Sequence, residues 1–221
     1  MKVSLAVGQE AALASGLPVK ELPSVFSSSS GDAVNCHEIC SQLASGDRLI
    51  SPTRFHNSVH NAAAGYWGIA TGARAPSTTL AGYDGSFALG LLEAGTQIVT
   101  ERHPVLLVAF DVPAPEPMQQ ARTHDSIASC ALWLLPQDVA EAAGAPRLQM
   151  ELTDDAETTL GDAALDGLRD VVEKRELFGD VRRAEQEQAV GRHRIRLSRA
   201  PDRRGCEFPP RRAKRWISGR G

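Results

Sequence analysis

The sequence has few aromatic residues, few cysteines and no long hydrophobic run. Aromatic side chains make up 5% of its 221 residues, so few rings are available to stack on nucleic-acid bases. The apolar run at residues 105–110 is far shorter than the roughly 18 residues that a membrane-spanning helix needs. Polar or flexible positions at residues 8–10 interrupt the N-terminal apolar segment too early for a secretory signal. We therefore expect a cytoplasmic protein without a membrane span.

Cysteine and histidine are not arranged as a metal site. The four cysteines are irregularly spaced, which indicates reduced thiols; they are Cys36, Cys40, Cys130 and Cys206. His56 and His60 stand four residues apart, but the glutamate of an H-E-x-x-H zinc motif is missing between them. A zinc site of two ligand pairs is also not indicated, because no distant second pair accompanies Cys36, His37 and Cys40. We therefore expect neither a metal nor a cofactor.

Charge is unevenly distributed along the chain. Residues 1–170 hold 9 Lys/Arg and 20 Asp/Glu, a balance of −11, whereas residues 171–221 hold 15 and 7, a balance of +8. This reversal predicts an acidic globular domain at residues 1–155, followed by a tail at residues 156–221 that is first helical and then basic. Residues 192–221 show almost no apolar periodicity and are predicted to be mostly disordered. Because aromatic residues are scarce there, a solvated tail is favoured over a nucleic-acid-binding arm.

Short apolar strands alternate with helical patterns. Helices are predicted at residues 3–14, 34–43, 58–71, 86–96 and 139–143, and strands at residues 24–26, 77–83, 105–110, 127–135 and 147–152. Asp32 is the expected N-cap of the second helix, where Cys36 and Cys40 are interpreted as small core residues. Residues 52–55 are expected to form a loop, and residues 27–31 a tight turn. This alternation predicts an α/β sheet that is covered on both faces.

Residues 50–111 carry a series of short motifs. In order, they are Ile50-Ser51-Pro52, Asn61-Ala62-Ala63-Ala64-Gly65, Gly72, Pro76-Ser77, Gly85-Ser86 and Val105 to Val108. This series resembles the N-terminal half of the β-ketoacyl synthases. The run from Ser51 to Trp67, with residues 25–32 before it, looks like the short ketosynthase-like chain length factors of aryl polyene systems. The resemblance covers about residues 3–153 and implies a thiolase-like layered α/β fold, N-terminal half only, with a mixed sheet and helices on both faces.

Residue 84 stands where the resemblance places the catalytic residue. A ketosynthase carries a nucleophilic cysteine at a turn from a strand into a helix, where the helix N-terminus favours the thiolate. Here the matching residue is Asp84, which follows Tyr83. A carboxylate is a poor acyl acceptor, and we interpret it as a helix N-cap. The resemblance therefore implies a catalytically silent subunit. The alternative is an active β-ketoacyl synthase or acyltransferase in which Asp84 or Ser86 is the nucleophile.

The resemblance also implies a partner. Subunits of this type pair through the strand before the catalytic position, here residues 77–83, and the segment that matches residues 52–61 reaches toward the partner's acyl pocket. We therefore expect a catalytic β-ketoacyl synthase partner and an acyl chain bound to an acyl carrier protein, in aryl polyene biosynthesis of the polyketide or fatty acid type. The residues expected to line or support the pocket or interface are Arg54, Phe55, His56, Asn57, His60, Tyr83 and Ser86. Tyr66 and Trp67 are interpreted as core or interface anchors. A packed interface without influence on acyl chain length is the alternative role for residues 54–60.

Overall fold

The helices and strands alternate along the chain, in agreement with the predicted α/β class. The structure, a computed structural model, describes residues 1–46, 48–120, 126–146, 148–153 and 194–199. Its helices are α1 (Lys2–Ser15), α2 (Ala33–Ala44), α3 (Pro52–Ser58), α4 (Ala62–Thr71), α5 (Ser86–Glu101) and α6 (Gln137–Ala142). Its strands are β1 (Ser24–Ser27), β2 (Ser77–Leu80), β3 (Val105–Asp111), β4 (Ala128–Leu134), β5 (Leu148–Thr153) and β6 (Arg194–Arg199). Within these described ranges, no helix is both long and apolar enough to cross a membrane.

Four strands form one mixed sheet in the order β2-β1-β3-β4. β1 pairs in parallel with β2 and β3, whereas β3 and β4 are antiparallel. The two central strands are buried along almost their whole length, as expected for strands that are covered on both faces. β2 lies at one edge of the sheet. Because β1, β2 and β3 run in the same direction, their last residues meet at one end; this carboxyl end of the sheet is marked by Ser27, Leu80 and Asp111.

Side chains of the central strands alternate between two hydrophobic clusters, one on each face of the sheet. On one face, α1 and α4 pack around Trp67, whose ring lies 6.3 Å from that of Phe26 between centroids. On the other face, Leu91 and Ala94 of α5 pack against Val25 of β1 and against Val105 and Leu107 of β3. The interpretation of Trp67 as a core residue is therefore confirmed. Helices cover both faces of the sheet, as predicted.

Residues 52–55, predicted as a loop, belong instead to helix α3. Ser51 is its N-cap, and the Ser51 hydroxyl accepts a hydrogen bond from the Arg54 N–H at 3.5 Å. Pro52 occupies the first helical turn, where its missing N–H costs nothing. The Ser-Pro pair is thus a helix-start signal that the prediction overlooked. The expected N-cap of α2 is confirmed, because the Asp32 carboxylate accepts a hydrogen bond from the Asn35 N–H at 3.2 Å.

Six residues of the basic tail form a strand. β6 pairs antiparallel with β5, which places Leu197 opposite Met150 and Arg196 opposite Glu151. The prediction of disorder is therefore wrong for residues 194–199, whose alternating sequence R-I-R-L-S-R has the period of a two-faced strand. The rest of the tail, and with it the proposed boundary at residue 155, lies outside the described residues.

Candidate functional site

Residues 81–85 carry the chain from the end of β2 into α5. Tyr83 has a φ of 55°, in the left-handed region that residues other than glycine rarely adopt. The Ser86 hydroxyl accepts a hydrogen bond from the Gly82 N–H at 3.1 Å and donates one to the Tyr83 carbonyl at 2.5 Å. These two bonds hold a sharp turn closed, and we call residues 82–86 the elbow.

Asp84 lies inside the elbow, in a turn of 3₁₀ helix (Tyr83–Gly85) that runs directly into α5. The backbone therefore has the strand-to-helix bend that the sequence predicted at this residue. The N-cap position of α5 is occupied by Gly85, so the interpretation of Asp84 as the N-cap is wrong. Only Gly85 stands between the aspartate and the first residue of α5. The positive end of the α5 dipole still favours an anion close to this turn.

Ser86 is placed as a structural residue of the elbow. It is 3% exposed, and its hydroxyl is used in both hydrogen bonds that close the turn. A serine nucleophile needs an oxygen that is open to substrate and a neighbouring base that takes its proton. The Ser86 oxygen is buried in the elbow, and its proton is donated to the Tyr83 carbonyl rather than to a side-chain base.

A second polar turn follows β1 at the carboxyl end of the sheet. Asp111 accepts hydrogen bonds on one carboxylate oxygen from the Ser28 hydroxyl at 3.1 Å and from the Ser29 N–H at 2.8 Å. The Gly31 N–H donates to the Ser28 hydroxyl at 2.9 Å. Gly31 has a φ of 60°, and a Cβ at this residue would lie 3.3 Å from the His60 ring. The serine-rich segment is therefore a tight turn, as predicted.

Helix α3 is held on one side by Tyr66 of α4. The Tyr66 hydroxyl donates a hydrogen bond to the Asn57 side-chain oxygen at 2.9 Å. The His56 ring meets the Tyr66 ring edge-on, with centroids 6.1 Å apart and planes at 85°. His56 and Asn57 were predicted as pocket or interface residues, and both have their side chains engaged within the chain.

The remaining two predicted residues of α3 differ from each other in their surroundings. Arg54 forms an ion pair with Glu38 of α2, and both side chains are close to half exposed. Phe55 is 64% exposed, which is unusual for a large aromatic side chain. Of the predicted α3 residues, Phe55 is therefore the one that offers a large apolar surface to solvent.

His60 connects the α3–α4 junction to the end of β2 through Ser28 of the β1 turn. Its Nε2 donates a hydrogen bond to the Ser28 carbonyl at 3.0 Å, which requires the proton to be on that nitrogen. The Ser28 N–H in turn donates to the Leu80 carbonyl at 3.2 Å, at the end of β2. The structure thus brings the predicted residues of the α3 region and of the elbow to the same end of the sheet.

The histidines and cysteines do not converge. His56 contacts Tyr66, whereas His60 is bonded to the β1 turn. In the part of the chain that the structure describes, no three His, Cys, Asp or Glu side chains are grouped so as to hold a metal ion. Cys36 and Cys40 are exposed, so their interpretation as core residues is wrong. The side of α2 that packs inward carries Ala33 and Ile39 instead.

Two residues that hold this region together were not predicted as site residues. Tyr66 was interpreted as an anchor, but its role is to fix α3 through its hydroxyl. The sequence signal that could have revealed this role is a tyrosine among small helical residues. The hydroxyl of such a tyrosine needs a hydrogen-bond partner when it is partly buried. Asp111 ties the β1 turn to β3. Its signal was a carboxylate directly after a continuous apolar strand, at the end of the sheet where sites are usually built.

An edge strand that leads through a closed elbow into a helix packed on the sheet defines the class of this domain. It is the N-terminal half of a thiolase-like ketosynthase fold, built on a mixed four-stranded sheet. Residues 4–179 match the family described as beta-ketoacyl synthase, N-terminal domain, and the chain belongs to this family. The match extends beyond the range of about 3–153 over which the sequence motifs were recognised.

Solved structures with a similar fold include ketosynthases and their complexes. The chain is 26% identical to a structure of the ketosynthase ApeO in complex with its chain length factor ApeC from Xenorhabdus doucetiae, with a TM-score of 0.56, covering 75% of this chain and 68% of that chain. A beta-ketoacyl synthase from Burkholderia phymatum STM815 is 12% identical, with a TM-score of 0.54, covering 75% of this chain and 50% of that chain. The ishigamide ketosynthase/chain length factor is 20% identical, with a TM-score of 0.49, covering 60% of this chain and 41% of that chain. Among curated proteins, none matches the chain.

Proposed function

We propose that the chain is a catalytically silent subunit of the chain length factor type, which pairs with an active β-ketoacyl synthase and helps to bound its acyl pocket. The observation that carries the proposal is Asp84, an aspartate in a strand-to-helix elbow where a condensing enzyme needs a thiol. The likeness to the ApeO–ApeC structure, at 26% identity, supports a place in such a pair. The substrates of the pair are acyl chains carried by an acyl carrier protein, in polyketide- or fatty acid-type synthesis such as that of aryl polyenes.

The chemistry at the elbow supports catalytic silence. Acyl transfer requires a nucleophile that forms a stable covalent intermediate, and a thiolate at a helix N-terminus does so through a thioester. A carboxylate is a weaker nucleophile, and its acyl product is an anhydride that water cleaves readily. The alternative of a serine nucleophile is disfavoured, because the Ser86 hydroxyl is buried and bonded inside the elbow.

The edge position of β2 supports pairing with another subunit. An edge strand presents unpaired N–H and C=O groups that can add a strand from a second chain. β2 is such an edge, and the strand leads directly into the elbow. A partner that pairs here lies next to the elbow, which follows β2 directly. The exposed thiols of Cys36 and Cys40 fit a reducing compartment, and we place the pair in the cytoplasm.

The exposure of Phe55 supports a role in the partner's acyl pocket. Large aromatic side chains that are exposed before assembly are frequent anchors of interfaces and binding pockets. If Phe55 closes the far end of the pocket, its replacement by alanine opens space and longer acyl chains are accepted. If Phe55 only packs in the interface, the F55A variant weakens pairing and leaves the product length unchanged.

Acyl loading tests the proposal directly. The purified chain is incubated with an acyl thioester of an acyl carrier protein, alone and together with the ketosynthase with which it co-purifies, and intact masses are recorded. We expect an acyl adduct on the ketosynthase and none on this chain. A lasting adduct on the peptide that contains residues 84 and 86 would overturn the proposal.

The control for this experiment restores a thiol to the elbow. In the Asp84→Cys variant, the helix N-terminus favours the thiolate, and we expect an acyl adduct on residue 84. The Asp84→Asn variant has the same side-chain size as the native residue, no thiol and no charge. It should remain unloaded, which separates the effect of the thiol from that of removing the carboxylate.

A further inference from the structure

Helix α3 is too short to fix its own direction. It has 7 residues, and every one of them is at least partly exposed. Isolated helices below about 12–15 residues are marginal in water, because few hydrogen bonds repay the cost of nucleation. The direction in which α3 presents its side chains must therefore come from contacts with neighbouring elements.

Tyr66 supplies the most specific of these contacts. Its hydroxyl bonds to Asn57 at 2.9 Å, and its ring lies against His56. Two weaker contacts join α3 to α2. The Cys36 thiol, a weak donor, bonds to the Ser58 carbonyl at 3.9 Å, and the Arg54–Glu38 ion pair contributes little because both side chains are close to half exposed. Tyr66 itself is well anchored, because the next residue, Trp67, is 2% exposed in the core.

The contact with Tyr66 sets the direction of Phe55. Successive residues of a helix are rotated by about 100°, since a turn has about 3.6 residues. Phe55 therefore points roughly 150° away from the mean direction of His56 and Asn57, the two residues that touch Tyr66. Holding α3 by that face presents Phe55 on the opposite one, in agreement with its 64% exposure.

We infer that Tyr66 is a positioning residue that aims Phe55 and thereby sets how sharply the partner's pocket limits acyl chain length. This inference rests on the proposed function, in which Phe55 bounds that pocket. Tyr66 acts through the direction of α3 and not by touching substrate or partner.

The first test needs no partner. In the Tyr66→Phe variant, the ring stays and the hydrogen bond to Asn57 is lost, so we expect amide hydrogen exchange in α3 to become roughly three- to tenfold faster. Thr71→Val is the matched control: it removes a hydroxyl from the same helix that is bonded to the Trp67 carbonyl and not to α3. The Asn57→Ala variant should accelerate exchange as much as Tyr66→Phe, and the double variant no further. Unchanged exchange in Tyr66→Phe would overturn the inference.

The second test uses the complex with the ketosynthase and measures the length distribution of its acyl products. Phe55→Ala should shift the distribution toward longer chains, whereas Tyr66→Phe should broaden it, with co-elution in size-exclusion chromatography unaltered. If Phe55→Ala lengthens the products and Tyr66→Phe leaves their distribution unchanged, positioning by Tyr66 is refuted and the proposed function stands. If neither variant alters the products, the proposed pocket role fails, and the specificity role of Tyr66 fails with it.

Discussion

A proline at residue 79 should separate pairing from folding. The carbonyls of Pro76 and Leu80 accept hydrogen bonds from the Ser24 and Ser28 N–H groups at 3.1 and 3.2 Å. The N–H and C=O of one strand residue point to the same side, and the side alternates from residue to residue. Residues 76, 78 and 80 therefore face β1, and residues 77 and 79 direct their backbone groups to the open edge of the sheet.

The expected cost of each proline follows from this alternation. Thr78→Pro removes an N–H that faces β1 and leaves a buried carbonyl of β1 without a donor, which costs about 1–3 kcal/mol before any steric clash is counted. Thr79→Pro keeps every bond between β1 and β2, because proline is tolerated on an edge strand when its missing N–H faces outward. Its cost is therefore that of an unfavourable strand residue, about 1 kcal/mol. At the same time, the Thr79→Pro ring occupies the edge on which a second strand must pair.

Urea unfolding and co-purification with the ketosynthase measure the two effects separately. We expect Thr79→Pro to unfold close to the native chain and to lose the partner, whereas Thr78→Pro is strongly destabilised. A Thr79→Ala control, which keeps the backbone donor, should retain both stability and pairing. Normal pairing by a folded Thr79→Pro chain would show that β2 is not the interface.

Two further predictions concern packing and thiol reactivity. A Cβ at Gly90 would lie 2.8 Å from the Cβ of Ser27, so G90A should lower the free energy of unfolding by about 1–2 kcal/mol. G65A has open space around its Cβ and should raise the free energy of unfolding by about 0.5–1 kcal/mol. Urea titrations measure both, and equal stabilities of the two variants would contradict this packing of α5 on β1. Burial raises the pKa of the Cys130 thiol, and a hydrogen bond to the Ala109 backbone opposes this with a smaller effect. An alkylating reagent should therefore modify the exposed Cys36 well before Cys130, as measured by peptide mapping. Equal rates in the native chain would refute that assignment, and in urea the difference should disappear.

Much of the fold follows from local patterns. The continuous apolar run of β3 and the Asp32 cap of α2 are short-range signals, and both are confirmed by the structure. Helix α3 was missed because a helix of seven residues has no room for apolar periodicity, and its start depends on the Ser51-Pro52 pair. β6 was missed because its strand period is short and is embedded in a basic segment. Its partner, β5, is distant in sequence.

The candidate site also has features that the sequence predicts and features that it does not. The position of Asp84 at a bend into a helix was predictable, because the elbow is local in sequence and its motif is recognisable. The tether from Tyr66 to α3 was not, since it depends on how two helices are placed against each other. The link from His60 through Ser28 to β2 likewise joins three segments that only the sheet brings together.

The order of amino acids by itself determined that residue 84 is an aspartate and not a cysteine, because the identity of a residue does not depend on packing. It also determined the alternation of strands and helices, since hydrophobic period and capping residues act over a few positions. Only the tertiary structure decided which strand is left at an edge and which aromatic side chains are left exposed. The edge position and the exposure both depend on contacts between residues far apart in sequence. The energies of those contacts are set by the assembled core rather than by any one segment.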